Sequence, residues 1–175
     1  MLTMVVYVDG LCEPVNPGGT ATYGYVIRND AGRDIARKSG VVGRGPEMSN
    51  NVAEYAALCE AFRFLIKEKM TWLPIEIRSD SRLLVNQMKG EWKFHNGLYA
   101  QKFTDAKALV TQFDRVKFKW IPPEENEEAD ALSRESYAKA TKKSGQSLIS
   151  LCAPGFSATR TRIRNTLVIG TNLFV

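Results

Sequence analysis

Apolar and polar positions repeat with two different periods along the first 140 residues. Alternating or continuous short apolar runs predict strands, and apolar residues spaced three and four apart predict helices. Short, turn-rich stretches connect the first three predicted strands, whereas helices lie between the later strands. The predicted strands are 2–9, 21–28, 33–42, 74–79 and 115–121, and the predicted helices are 50–70, 81–88, 98–113 and 126–140.

The order of these elements predicts an α/β fold. Three successive strands with short connections form an antiparallel meander. Two later strands, each reached through helices, are expected to lie parallel to the first, because short crossovers favour that geometry. We therefore expect a mixed five-stranded sheet, three antiparallel then two parallel strands, flanked by helices on both faces.

Residues 141–175 differ from the rest of the chain in pattern and charge. Residues 141–155 are polar and turn-rich, whereas residues 166–175 are apolar and strand-like. This stretch holds five basic and no acidic residues, so residues 1–140 carry 19 of each sign. We predict one domain over residues 1–140 and a basic C-terminal tail over residues 141–175. The tail is expected to meet polyanions or to serve as a solvated segment. Its apolar end is expected to add to a sheet edge or to pack on a partner subunit.

Composition narrows the class of protein. A chain of 175 residues, 44% hydrophobic and 25% charged, suits one globular domain. No run approaches the roughly 18 apolar residues of a membrane span, and no basic region precedes the first apolar run. We expect a cytoplasmic protein without membrane contact. The three cysteines lack the spacing of a zinc site. The sequence leaves undecided whether Cys59 and Cys152 form a disulfide bridge. His95 is the single histidine, which excludes a histidine-clustered metal site.

Four acidic residues occupy positions where an isolated carboxylate would be costly. They lie at the end of the first strand, inside the first helix, just after the fourth strand and in the last helix: Asp9, Glu54, Asp80 and Asp130. A lone buried carboxylate tends to neutralise, but several persist when they converge on a hard divalent cation. The set therefore predicts a metal-binding carboxylate cluster.

The motifs around these acids resemble those of the type 1 ribonuclease H family, in the archaeal and plant-like branch that lacks a basic protrusion. Each motif is weak alone, but together they occur in the family order over residues 1–140. The motifs are Asp9-Gly10-x-Cys12, Asn16-Pro17-Gly18-Gly19, Asn50-Asn51-x-x-Glu54, Ser79-Asp80-Ser81 and Glu125-Asn126-x-x-Ala129-Asp130.

The resemblance implies an endonuclease that hydrolyses the RNA strand of RNA–DNA hybrids to 5′-phosphate and 3′-hydroxyl ends. It implies two Mg²⁺ ions, for which Mn²⁺ is expected to substitute, with Asp9 bridging both ions. Glu54 and Asp80 would bind one ion and Asp130 the other. The substrate-binding residues that it implies are Gly10, Cys12, Asn16, Ser49, Asn50, Asn51 and Asn96.

Three positions depart from the family pattern. The histidine that longer members carry before the last acid is missing, so Glu124 is the candidate proton shuttle. Of the basic, Trp-rich protrusion only Lys89, Trp92 and Lys93 remain. Arg82 stands where the family often has glutamine.

Two other functions stay open from the sequence. One is a catalytically weak protein of the same fold that binds hybrids or double-stranded RNA. The other keeps the fold but changes the chemistry, as in exonucleases and integrases. RNA duplexes are also a candidate substrate of the nuclease, and the sequence does not set the oligomeric state.

Overall fold

The computed structural model describes the backbone of residues 2–150 and the side chains of residues 2–142. Within this range the chain forms five strands and four α-helices, with one 3₁₀ turn at Pro123–Glu125. The strands are β1 Met4–Glu13, β2 Thr20–Asn29, β3 Asp34–Arg44, β4 Ile75–Ser79 and β5 Val116–Trp120. The helices are α1 Asn50–Lys67, α2 Arg82–Lys89, α3 Ala100–Val110 and α4 Glu127–Ser150.

The five strands form one sheet in the order β3-β2-β1-β4-β5. β1 and β3 each pair antiparallel with β2, whereas β4 lies parallel to β1, and β5 parallel to β4. β1 is therefore the central strand, with an antiparallel neighbour on one side and a parallel neighbour on the other. The predicted mixed sheet flanked by helices is confirmed.

Two glycines let helices pack closely on opposite faces of the sheet. A Cβ atom at Gly10 would lie 2.1 Å from the Glu54 backbone nitrogen of α1. A Cβ atom at Gly24 would lie 2.4 Å from the Ala129 carbonyl oxygen of α4. Successive strand residues point to opposite faces, and Asp9 pairs directly with Gly24. Asp9 therefore points towards α4, and Gly10 faces α1.

The main hydrophobic core lies between the sheet and α1. α1 begins where the Ser49 hydroxyl accepts a hydrogen bond from the Val52 N–H, which satisfies one of the free donors of the first turn. Tight packing of this helix on β1 and β2 fixes Glu54 relative to Asp9. The largest fully buried side chains of the core include Val6, Val8, Ile27, Tyr55, Phe62, Leu65, Ile77 and Leu84.

Two predicted boundaries are wrong. The first strand does not end at residue 9, because β1 pairs with β2 as far as Glu13 and Thr20. The last helix does not end at residue 140, because α4 continues to Ser150. The stretch 141–150 contains one glycine and no proline, so its polar residues do not stop the helix. The predicted division after residue 140 therefore falls inside a helix.

Residues 151–175 lie outside the described part of the chain, and with them Cys152 and the apolar segment 166–175. The separate tail and the Cys59–Cys152 bridge stay predictions. Cys59 is buried, and its thiol donates to the Lys102 carbonyl oxygen at 3.6 Å. Across residues 2–150, no helix is long and apolar enough to cross a membrane.

Candidate active site

Asp9 lies in the middle of the central strand, under α4. Only 7% of the surface of Asp9 is exposed to solvent. The Ser133 hydroxyl of α4 donates to Asp9 Oδ2 at 2.6 Å, which favours the charged form. Burial has the larger and opposite effect, and the charges of Asp80 and Asp130 add to it, so the pKa of Asp9 is raised to about 6. Asp9 is therefore a carboxylate held among like charges.

Glu54 reaches the same region from the opposite face of the sheet, one turn into α1. The residue is partly exposed, but its Oε2 atom is fully enclosed and has no hydrogen-bond partner within residues 2–142. The Ser79 hydroxyl faces the same carboxylate and favours its charged form. Burial, followed by the charges of Asp9 and Asp80, holds the pKa of Glu54 well above its usual range. A proton or a cation would be stabilised at an enclosed carboxylate oxygen that has no hydrogen-bond partner.

Asp80 follows the last residue of β4 and is tied to two neighbouring strands. The buried amide of Asn126 donates from Nδ2 to Asp80 Oδ1 at 2.8 Å and to the Val8 carbonyl oxygen of β1 at 3.0 Å. The indole Nε1 of Trp120 donates to the Asp80 carbonyl oxygen at 3.0 Å. The guanidinium of Arg82 lies 4.0 Å from the centroid of the Trp120 ring. These contacts hold Asp80 beside Val8, next to Asp9 in the middle of β1.

Asp130 lies in the first turn of α4, where negative charge is favoured by the helix dipole. Both of its carboxylate oxygens accept hydrogen bonds from Arg134 Nε, each at 2.9 Å. Beside it a surface pocket of about 360 Å³ opens towards solvent. The pocket is lined by Asp80, Pro123, Glu124, Glu127, Asp130 and Arg134.

Electrostatic coupling joins the four predicted acids into one region. Asp9 interacts with the charges of Asp80 and Asp130, and Glu54 with those of Asp9 and Asp80. In residues 2–150, no three His, Cys, Asp or Glu side chains stand ready-made around a metal position. The chemistry of the donor set nevertheless fits a hard divalent cation, because every donor is an oxygen and Glu54 Oε2 is unpartnered.

The predicted substrate residues at the start of α1 form a hydrogen-bonded chain. Asn16 Oδ1 accepts from the Asn50 N–H at 3.0 Å, and Asn50 Oδ1 accepts from the Cys12 N–H at 2.7 Å. Ser49 caps α1, and Asn51 follows in its first turn. Asn16 and Asn50 are exposed. The structure thus brings these residues together near the C-terminal end of β1, beyond Asp9.

Two predicted substrate residues are placed less favourably. Asn96 is exposed in the loop between α2 and α3, and no hydrogen bond within residues 2–142 joins it to the acids. The side chain of Cys12 is buried, and its thiol donates to the Val15 carbonyl oxygen at 3.5 Å. Cys12 can therefore meet a ligand only through its backbone.

Sequence reasoning missed Ser133 and Arg134. The spacing of Asp130 and Arg134 is the acid-then-base i,i+4 pattern of a helical ion pair, so the sequence did contain a signal for that contact. The bond from Ser133 to Asp9 spans 124 positions along the chain. Only the packing of α4 on the sheet creates it, and no local pattern predicts it.

A family model described as "Reverse transcriptase-like" matches residues 8–136. Ribonuclease HI of Halobacterium salinarum is 34% identical over 130 residues, which are 74% of this chain and 62% of that protein. The crystal structure of RNase H1 from that archaeon covers 78% of this chain and 98% of its own, with 31% identity and a TM-score of 0.70. LC11-RNase H1, solved in complex with an RNA/DNA hybrid, covers 79% and 99%, with 32% identity and a TM-score of 0.71.

A bifunctional protein of Mycobacterium tuberculosis is 32% identical over 136 residues, which are 77% of this chain and 35% of that protein. Its N-terminal RNase H domain superposes with a TM-score of 0.68 at 30% identity, covering 77% of this chain and 98% of the domain. The chain therefore spans about a third of the mycobacterial protein and 62% of the halobacterial one.

A five-stranded sheet of this order, with acidic residues meeting at its central strand, defines the class as a ribonuclease H-like protein. The resemblance seen in the motifs is confirmed by the extent of these matches. The chain belongs to the type 1 ribonuclease H family.

Proposed function

We propose that this protein is a metal-dependent endonuclease that hydrolyses the RNA strand of RNA–DNA hybrids to 5′-phosphate and 3′-hydroxyl ends. The observation that carries the proposal is the pair of buried carboxylates, Asp9 and Glu54, coupled to each other across the central strand with Glu54 Oε2 unpartnered. A folded protein gains nothing from such mutual repulsion unless a cation or a proton relieves it. The hybrid bound to LC11-RNase H1 supports the choice of substrate.

In this proposal four carboxylates hold two Mg²⁺ ions, with Mn²⁺ as a substitute. Asp9 would serve both ions, Glu54 and Asp80 would serve one, and Asp130 would serve the other. Once bound, such ions activate the attacking water and stabilise the leaving oxygen. The chain's own contribution is to fix the ligands. Ser133 holds Asp9, and Asn126 holds Asp80 against β1.

The start of α1 is the proposed binding surface for the nucleic acid. Its N-terminus favours a phosphate group through the helix dipole. Ser49, Asn50 and Asn51 would hold the DNA strand there. Asn16 and the backbone of Gly10 and Cys12 would contact the RNA strand, where the 2′-hydroxyl distinguishes RNA from DNA. Asn96, exposed in the α2–α3 loop, would contact the substrate from there.

Glu124 is the proposed proton shuttle. It is exposed and lines the pocket that Asp80 and Asp130 share. In this position it can exchange protons between solvent and the reacting groups.

The cytoplasm remains the proposed location of the protein.

A catalytically weak protein that binds hybrids or double-stranded RNA is the second candidate. It is favoured by the ion pair of Arg134 with Asp130, which occupies one of the proposed metal ligands. If Asp130 held Mg²⁺, the ion would compete with Arg134 for its carboxylate.

Cleavage of matched RNA–DNA, RNA–RNA and DNA–DNA duplexes, with Mg²⁺ or Mn²⁺, separates the candidates. We expect the wild-type protein to cut the RNA strand of the hybrid and the Asp9→Asn variant to leave it intact. Binding of the hybrid without any ion-dependent cleavage would favour the second candidate. Cleavage of RNA duplexes at a similar rate would extend the substrate range.

A further inference from the structure

Arg134 contacts the acidic region from α4, one turn after Asp130. Its Nε donates to both oxygens of Asp130, and Nη1 lies 3.7 Å from Glu13 Oε1 at the end of β1. It also interacts with the charge of Asp9. In the described part of the chain, Arg134 is the one cationic side chain that lines the pocket beside Asp80 and Asp130. The guanidinium therefore neutralises charge where the proposed function needs a metal ion.

This ion pair differs from an ordinary pair on a helix surface. Lys139 and Glu135 form such a pair on the same helix, also at i,i+4, with both side chains more than half exposed. Arg134 instead engages two carboxylates on different elements, and one of them is a proposed metal ligand. The Nε–H of Arg134 is shared between both oxygens of Asp130, so it occupies lone pairs that a divalent cation bound there would also use.

We propose that Arg134 is a displaceable counter-ion of the metal site: it competes with a divalent cation for the carboxylate of Asp130 and sets the ion concentration that the site needs. This inference rests on the proposed function. Before ion binding, Arg134 limits the repulsion among the acids. Ion binding displaces it from at least one oxygen of Asp130 and frees its charge at the rim of the pocket.

The test is a calorimetric titration of the protein with Mn²⁺, in the absence of nucleic acid. Arg134→Ala is expected to bind Mn²⁺ about three- to fivefold more tightly than wild type, the effect expected for removing a partly exposed competing ion pair. Arg134→Lys keeps the charge but loses the Nε–H that contacts both oxygens of Asp130, so it is expected to bind more tightly than wild type as well. Lys139→Ala is the matched control and is expected to bind like wild type.

Unchanged or weaker binding by Arg134→Ala would overturn the inference. So would Arg134→Lys behaving as wild type, because net charge rather than occupancy of the oxygens would then explain the effect. An equal gain in Mn²⁺ affinity in Lys139→Ala would also overturn the inference, because net charge would then explain the effect. If wild type and Asp9→Asn bind Mn²⁺ equally weakly, the proposed metal site itself fails and the inference falls with it. Loss of binding in Asp9→Asn, with no change in either Arg134 variant, overturns the inference alone.

Discussion

Asp9 shows how the fold places a charge where it is unfavourable in the absence of a ligand. The residue is enclosed by α4 and faces other acids, so its pKa rises to about 6 although Ser133 donates a short hydrogen bond to it. A carboxyl whose pKa is raised by folding contributes stability below its unfolded pKa of 3.8 and loses that contribution as the pH rises through about 6. Without a divalent ion, ionised Asp9 therefore destabilises the protein at neutral pH.

Asp9→Asn is predicted to stabilise the ion-free protein in a pH-dependent way. At pH 8 the variant is expected to exceed wild type by about 2–3 kcal/mol in the free energy of unfolding, since each pKa unit corresponds to about 1.4 kcal/mol. Near pH 3.5 the difference is expected to vanish. Urea unfolding with a chelator present measures both values. Asp30→Asn, in an exposed hairpin turn, is the control. An equal difference at both pH values would contradict this electrostatic origin.

Glu124→Ala is predicted to reduce the rate of hybrid cleavage by about tenfold or more, as expected for loss of a proton-transfer group. Glu125→Ala is the matched control, because Glu125 is an exposed neighbour in the same 3₁₀ turn and does not line the pocket. Single-turnover rates at saturating Mg²⁺ separate the two variants. Equal rates for Glu124→Ala and wild type would remove Glu124 from the mechanism.

At the scale of elements, the site depends on how closely α1 approaches β1. The missing side chain at Gly10 lets the helix backbone lie where a Cβ atom would clash, and this contact places Glu54 opposite Asp9. Gly24 plays the same part for α4, which carries Asp130 and Ser133. The two glycines thus bring acids from both faces of the sheet to one strand.

Gly10→Ala is predicted to cost about 1–3 kcal/mol of folding stability, because the backbone of α1 must move away from the added methyl group. The same movement separates Glu54 from Asp9, so Mn²⁺ binding is expected to weaken as well. Gly97→Ala is the control, since its Cβ would meet only ordinary contacts, the nearest at 3.4 Å. Thermal unfolding and Mn²⁺ titration test both effects. Wild-type thermal unfolding and Mn²⁺ affinity in Gly10→Ala would contradict this prediction, because they would show that α1 accommodates the added methyl group.

The elements themselves could be predicted from the sequence, because their periodicity and turns are local. α1 was predicted from its apolar spacing and its Ser49 cap, and the parallel direction of β4 and β5 followed from the short crossovers. The extra length of β1 could not be predicted, since Gly10 to Glu13 lack a strand pattern and gain their structure by pairing with β2. The motifs gave the four acids, whereas the contacts of Ser133 and Arg134 depend on tertiary packing.

For the whole molecule, the net charge of +5 lies in residues 141–175, and three of the five basic residues there follow the described part of the chain. Residues 151–175 contain Arg160, Arg162 and Arg164 and no acid, whereas residues 1–140 are neutral. The fold retains little of the family's basic protrusion. High affinity for a polyanion would therefore depend on the three arginines of residues 151–175. Phosphate neutralisation dominates such binding and makes it depend on salt.

Deletion of residues 151–175 is predicted to weaken hybrid binding and to reduce its dependence on salt. Loss of three phosphate contacts would lower the slope of log affinity against log salt by up to about 3. A full-length variant with Arg160, Arg162 and Arg164 replaced by glutamine is the control for charge alone and is expected to give the same slope. Binding in the absence of divalent ions, measured at several salt concentrations, gives these values. An unchanged slope would assign the tail another role.

The most direct measurement is the single-turnover rate at which the protein cleaves the RNA strand of an RNA–DNA hybrid with Mg²⁺ and with a chelator. We expect cleavage only with the ion, 5′-phosphate and 3′-hydroxyl products, and losses of at least about a hundredfold in Asp9→Asn, Glu54→Gln and Asp80→Asn. Asp30→Asn is expected to cleave like wild type. Cleavage that persists in the chelator, or a wild-type rate in any of the three site variants, would contradict a shared carboxylate site for catalytic metal ions.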